Sequence, residues 1–173
     1  MFDLHTRKYL WIDSLCPDAS DIFSTYFQNI LAAGIHTPVF LCIGTPLLYG
    51  DCLGPYIGTA LKNLGFDHVY GTMENPVHAE NIDYYRNIIA RRYHKPTIIA
   101  IDAALGTKSQ TGYITLRKGA LRPGKAMGKN IRPIGNIEIT GIFDEIHKKN
   151  SKPLMMFMST IITQGIYKNM RYF

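Results

Sequence analysis

Val39-Phe40-Leu41-Cys42-Ile43 is a continuous apolar run, of the kind that forms a strand buried on both faces of a sheet. A loop over residues 44–49 follows, and then Gly50-Asp51-Cys52-Leu53-Gly54-Pro55 surrounds one aspartate with glycines. A helix is predicted from about Leu53 to Asn63, with Pro55 in its first turn. Strand, turn and helix in this order place Asp51 just beyond the carboxyl end of a buried strand.

A second apolar run, Thr97-Ile98-Ile99-Ala100-Ile101, ends at Asp102. Around these two runs, further strands are predicted over 68–71, 113–116 and 154–158, and helices over about 20–33, 79–93 and 141–149. Residues 137–140 fit either a strand end or the cap of the helix at 141–149. Buried strands that alternate with helices predict an α/β protein with three layers, α/β/α, around a mostly parallel sheet.

Chain topology brings the two aspartates together. Right-handed crossovers are expected to place the strands at 68–71 and 97–102 on either side of the strand at 39–43. The loops after the first and third of these strands then face each other at the point where the strand order reverses, which is where open α/β sheets bind ligands. Two carboxylates at that edge can share a proton and activate a water molecule, so Asp51 and Asp102 are the predicted catalytic pair of a hydrolase.

Composition and length fit one ordinary domain over residues 1–173, with an amino-terminal helical segment at 1–36 and a core at 37–173. Three cysteines without CxxC spacing argue against a disulfide framework and favour a reducing, cytoplasmic setting. No apolar stretch reaches the roughly 20 residues that cross a bilayer, and residues 1–5 lack signal-peptide organisation. We expect no membrane partner.

The net charge is +6, and six of the cations fall between Arg117 and Arg132. This stretch fits a solvated loop better than a nucleic-acid surface, because no nucleic-acid-binding motif accompanies it. It is equally able to attract an acidic protein substrate. Nucleic acid is therefore not an expected partner.

Each aspartate also has a purely structural interpretation. Asp51 precedes a helix and can cap its exposed N–H groups, although the glycines beside it also allow the backbone to approach a ligand. Asp102 can be a turn residue that bonds to nearby N–H groups. Near apolar walls and a second carboxylate its pKa is instead expected to rise, which leaves one acid protonated and the other ionised.

Other residues at the same edge are candidates for substrate binding. Threonines there either satisfy turns or donate to a carbonyl, and His78 is either structural or a proton carrier. Cys52 is a weak nucleophile candidate, because a neighbouring aspartate opposes the thiolate. The predicted substrate-binding residues are Gly44, Thr45, Gly50, Cys52, His78, Gly106 and Thr107.

Several of these blocks, in this order, resemble the YyaC-type spore proteases. The blocks are 42–45 with 50–55, 70–72 with 76–79, and 99–106, followed by 112–114, 122–124 and 139–142. That family is similar in fold to germination protease and to hydrogenase-maturation endopeptidases, so the resemblance implies a hydrolase-like fold of the hydrogenase-maturation-protease type. Germination protease has one aspartate in a comparable Asp-x-Leu-Gly-Pro turn and another in an Ile-Asp-Ala strand end, at positions that match Asp51 and Asp102.

The resemblance implies a cytoplasmic peptidase of a spore-forming bacterium, in the mother cell or forespore, acting in sporulation or germination. Small acid-soluble spore proteins are the implied substrates. Hydrogenase-maturation enzymes bind a metal with acids at these positions and with a histidine further along the chain. Here Thr140 and Gly141 lie near the position of that histidine, so no cofactor is expected. If a divalent metal does bind, Asp51, Asp102 and His78 are its candidate ligands.

Two departures from the family pattern leave alternatives open. The usually polar stretch after Gly-Thr is apolar here, at residues 46–49, and Cys52 stands where serine or alanine is commoner. An apolar lip suits a binding module that has lost turnover as well as it suits a peptidase.

Overall fold

The computed structural model describes residues 9–47, 50–123, 131–145 and 151–171. These ranges contain six strands, four helices and a short 3-10 turn at Lys108–Gln110. The strands are β1 (Leu10–Asp13), β2 (Pro38–Cys42), β3 (Val69–Tyr70), β4 (Thr97–Leu105), β5 (Tyr113–Lys118) and β6 (Ile137–Phe143). The helices are α1 (Ala19–Leu31), α2 (Leu53–Asn63), α3 (Ile82–Arg92) and α4 (Lys152–Met170).

One sheet has the strand order β1-β5-β6-β4-β2-β3. Strands β3, β2, β4 and β6 are parallel, and β5 is antiparallel to both β6 and β1. The predicted α/β class with a mostly parallel sheet is therefore confirmed. Strand β2 lies between β3 and β4, as the crossover rule predicts, so the strand order reverses at its carboxyl end.

Alternation along the strands divides the apolar side chains between the two faces of the sheet. Phe40 and Cys42 join one core with α1, α2 and α4, whereas Val39 and Leu41 join a second core with α3. On the first face α1 packs closely on α4, since a Cβ at Gly165 would lie 2.2 Å from a ring carbon of Phe23. Among the described residues, three helices cover one face and one helix covers the other.

The carboxyl-terminal part of the chain corrects two predictions. The strand predicted at 154–158 is wrong, because these residues form the first half of α4. Pro153 occupies the first turn of that helix, and the buried residues that follow recur at helical spacing. The helix predicted at 141–149 is wrong at its start, because β6 continues to Phe143; residues 146–150 lie outside the described residues.

The amino-terminal part also differs from expectation. Helix α1 is confirmed, but the segment before it contains a strand, β1, that was not predicted. In β1, Leu10 and Ile12 are buried, whereas Trp11 and Asp13 are exposed. The strand pairs with β5 and forms one edge of the sheet. Within the described ranges, no helix combines the length and apolar character that crossing a bilayer demands.

Candidate active site

Asp51 lies where the chain leaves the sheet and enters α2. Gly54 packs against the end of β2 so closely that a Cβ there would lie 2.0 Å from the carbonyl oxygen of Ile43. Gly44, at φ +146, similarly accommodates the carbonyl oxygen of Asp51, which accepts a hydrogen bond from the N–H of Thr45 at 3.2 Å. The N-cap residue of α2 is Cys52 and not Asp51, and the described residues show no side-chain capping hydrogen bond at this helix start.

Asp102 lies inside β4 and not at its end, because β4 continues to Leu105. The interpretation of Asp102 as a turn residue is therefore wrong. In register it lies beside Thr140 of β6, one position beyond the last residue of β4 that pairs with β2. Ile99 and Ile101 face the three-helix core, so alternation places the Asp102 side chain on the α3 face. Its Oδ1 accepts the N–H of Ala103 at 2.8 Å.

Both aspartates line one cavity of about 810 Å³. The structure also brings Gly44, Thr45, Gly50 and His78 to its wall, together with Ala103, Ala104 and Leu105 of β4. The two acids, about fifty residues apart in sequence, thus line the same cavity at the carboxyl edge of β2 and β4.

Burial in this cavity raises the pKa of Asp102 to about 8. The hydrogen bond from Ala103 opposes the rise, whereas the negative charges of Asp51 and Glu138 add to it. A carboxyl group in this state holds its proton at neutral pH and can donate it in a hydrogen bond. The sequence had predicted this direction for Asp102.

Two charged residues that were not predicted as site residues, Arg117 and Glu138, also line the cavity. Arg117 of β5 and Glu138 of β6 are cross-strand neighbours and form an ion pair, with Nε 2.6 Å from Oε2. The guanidinium also donates to the carbonyl of Ala120 and lies over the Tyr9 ring, while Thr140 donates to Glu138 Oε1. Polar residues alternating with isoleucine and leucine in both strands are the signal that would have revealed them.

His78 reaches the cavity from the segment after β3. Its N–H donates to Asn81 Oδ1 at 2.8 Å, and its Nδ1 accepts the N–H of Glu80 at 3.3 Å. The first bond is donated by the backbone of His78; the second makes ring Nδ1 the acceptor nitrogen, which places the proton of the neutral tautomer on Nε2. His78 is thus oriented by its own loop, whichever role it has.

Three of the predicted binding residues lie outside the lining of the cavity. Cys52 is buried, and burial raises the pKa of its thiol; the negative charge of Asp51, the cause predicted from the sequence, adds to the rise. Gly106 packs against Ile142, and Thr107 caps the 3-10 turn through a reciprocal pair of bonds with Gln110. All three cysteines, each in a described range, are reduced thiols.

Among the described residues, no group of three or more histidine, cysteine, aspartate or glutamate side chains is arranged to hold a metal ion. Binding of a divalent metal by Asp51, Asp102 and His78 stays a prediction.

Comparison with known sequences agrees with the order of the sequence blocks. The family described as "Protein of unknown function (DUF1256)" matches residues 13–168. The chain belongs to the DUF1256 family. "Uncharacterized protein YyaC" of Bacillus subtilis (strain 168) is 34% identical to it over 176 residues, which cover 96% of this chain and 86% of that protein. Membership of the YyaC group is therefore confirmed, and every described element from α1 to β6 lies within the DUF1256 match.

Proposed function

We propose that this protein is a peptidase that hydrolyses peptide bonds with Asp51 and Asp102. The observation that carries the proposal is the pair of acids in one cavity, with the pKa of Asp102 raised to about 8. Two carboxyl groups in one cavity, one of them with a raised pKa, are the arrangement by which acid and base roles are divided in water-activating enzymes.

In the proposed reaction, the Asp51 carboxylate takes a proton from a water molecule while the water oxygen attacks the carbonyl carbon. The protonated Asp102 carboxyl donates a hydrogen bond to the carbonyl oxygen and stabilises the charge that develops there. As the C–N bond breaks, the proton held by Asp51 passes to the leaving amine. The new carboxylic acid and the amine leave, and the carboxyl groups of Asp51 and Asp102 return to their starting protonation states.

The setting of the activity is carried by the resemblance to the spore-protease group. We propose that the protein acts in the cytoplasm of a spore-forming bacterium, in the mother cell or forespore, during sporulation or germination. Small acid-soluble spore proteins are the first substrates to try, and an unbiased peptide library is the second.

The test is cleavage of these substrates by the wild type, Asp51→Asn and Asp102→Asn, followed by mass spectrometry. Each substitution is expected to lower the rate by at least about 100-fold, the usual contribution of a positioned acid or base. Asp67→Asn, an exposed site at the opposite end of the sheet, is the matched control and keeps the wild-type rate. Full-rate cleavage by both cavity variants refutes the mechanism.

The pH dependence of the rate provides a second test. Because Asp102 acts in its protonated form, the rate is expected to fall as the pH rises through about 8, where that carboxyl loses its proton. A rate that is constant from pH 7 to pH 10 contradicts the assigned role of Asp102.

A second candidate function is binding of a partner protein without turnover. Leu47, in the loop that carries Asp51, is 87% exposed, and an apolar side chain in that position is suited to contact with another protein. Under this alternative, a complex with an uncut partner is recovered from sporulating cells, and Leu47→Ser weakens it. Recovery of cleaved partner fragments favours the peptidase instead.

A further inference from the structure

Strand β4 is longer than its neighbour β2. Pairing between them ends at Cys42 and Ile101, whereas pairing of β4 with β6 continues to Leu105 and Phe143. Four residues, Asp102–Leu105, therefore have a strand on the β6 side and, among the described residues, none on the β2 side. A strand edge with backbone groups open to pairing is a place where another extended chain adds to a sheet.

The backbone groups that face this edge follow from the hydrogen bonds on either side of it. The carbonyl of Ile101 accepts the N–H of Ile43 at 2.7 Å, so it points toward β2. The N–H of Gly106 donates to Phe143 at 2.8 Å, so it points toward β6. Since these directions alternate along a strand, Ala103 and Leu105 direct their N–H and carbonyl groups toward the open side.

The gap exists because the chain turns away from β4 after β2. Ile43 forms a parallel bridge with Val77, and the N–H of Gly44 donates to the carbonyl of Val77 at 2.8 Å. Both contacts lie on the β3 side of β2. With φ at +146, Gly44 takes a turn that other residues rarely adopt, and the cavity opens along all four residues of the β4 edge.

We propose that an extended polypeptide segment binds in this gap as an added strand on the β4 edge. Its backbone pairs with the N–H of Leu105 and with the carbonyls of Ala103 and Leu105, which lie about 7 Å apart along the strand. The mode is β-strand addition, in which main-chain hydrogen bonds supply affinity and alternate side chains supply selectivity. The ligand class is therefore an unfolded or extended protein segment.

The position of Asp102 links this edge to chemistry and rests on the proposed function. Its carboxyl group bonds to the N–H of Ala103, which points into the gap. A peptide bond paired beside Ala103 thus lies against the Asp102 carboxyl. Side chains on one side of the added strand face the cavity wall that holds Arg117 and Glu138.

The test uses Asp51→Asn protein, so that binding is measured without turnover. The probe is a fluorescent library of N-acetylated, C-amidated hexapeptides, and the tightest member is resynthesised with one N-methyl group at each position in turn. Methylation is expected to weaken binding by about tenfold at alternate positions, the cost of a lost hydrogen bond, and by much less at the positions between them. A uniform response, or no binder at 1 mM peptide, overturns the proposal.

Hydrogen–deuterium exchange of single amides provides an independent readout. The Leu105 amide is expected to exchange readily in the free protein and to become protected when the hexapeptide binds. The Ala104 amide, which points toward β6, is the internal control and is protected in both states. A Leu105 amide that is already protected in the free protein overturns the proposal, because its edge is then occupied.

Strand addition and catalysis can fail separately. If wild-type protein leaves the selected hexapeptide intact while the alternating methylation pattern holds, the peptidase proposal is refuted and strand addition stands. If the peptide is cleaved but the pattern is uniform, strand addition is refuted and the peptidase proposal stands.

Discussion

Replacement of Asp102 by asparagine removes one titration from the cavity and nearly nothing else. The asparagine oxygen can still accept the N–H of Ala103, and the side chain has the shape of a protonated aspartate. In the wild type the folded protein holds the Asp102 proton up to about pH 8, whereas the unfolded chain releases it near 3.8. Between these values the unfolded state binds fewer protons, so the free energy of unfolding falls as the pH rises.

The size of the effect follows from the same two values. A fully expressed shift changes the free energy of unfolding by about 1.4 kcal/mol per pH unit, or about 4 kcal/mol between pH 5 and pH 8. Asp102 is only partly buried, and solvent screening reduces the desolvation penalty on its charged form. We expect Asp102→Asn to gain about 2 kcal/mol of stability over the wild type across this interval, and no more above pH 8.

Urea unfolding of both proteins at half-unit steps from pH 5 to pH 9 measures this difference directly. Titrations common to the two proteins cancel when one curve is subtracted from the other. Asp67→Asn, exposed and remote from the cavity, is the control and is expected to stay parallel to the wild type. If the Asp102→Asn curve is also parallel, or if the wild type gains stability over the variant as the pH rises, burial does not hold the proton on Asp102.

Two substitutions and one chemical modification test close packing, the buried ion pair and cysteine burial. Gly54→Ala is expected to lower stability by about 2 kcal/mol, because its Cβ would lie 2.0 Å from a backbone carbonyl oxygen. Glu138→Gln is expected to cost about 3 kcal/mol, because it leaves the guanidinium of Arg117 without its charged partner in a largely buried position. In the native protein, iodoacetamide is expected to modify Cys16, which is partly exposed, well before Cys42, which is buried and has a raised pKa.

Each of these changes has its own control. Asn63→Ala, at an exposed position of the same helix as Gly54, is expected to be neutral or slightly stabilising in thermal melts. The double variant with Arg117→Met and Glu138→Leu is expected to recover most of the stability lost in the single one, as measured in urea. Intact-mass spectrometry follows alkylation, and equal rates at Cys16 and Cys42 would contradict the burial of Cys42.

Local patterns in the sequence were sufficient for the elements that are buried on both faces or strongly amphipathic. The apolar run at 39–43 predicted β2, and the glycines and proline that follow predicted α2 at its observed bounds, Leu53–Asn63. Similar patterns failed at 154–158, because a short apolar run fits a buried strand and a buried helix equally well. They also missed β1, whose four residues become a strand only by pairing with β5, about a hundred residues later.

For the site, the amino-acid sequence by itself determined which acids occupy the reversal point of strand order, because parallel strands and right-handed crossovers leave few ways to arrange β2, β3 and β4. Tertiary structure alone decided the rest. The reach of β4 beyond β2, the Arg117–Glu138 ion pair in the wall of the same cavity, and the burial that raises the Asp102 pKa all depend on contacts between distant segments. A local pattern can mark the residues that take part but not the contacts themselves, since each contact is made by residues that meet only when the sheet has formed.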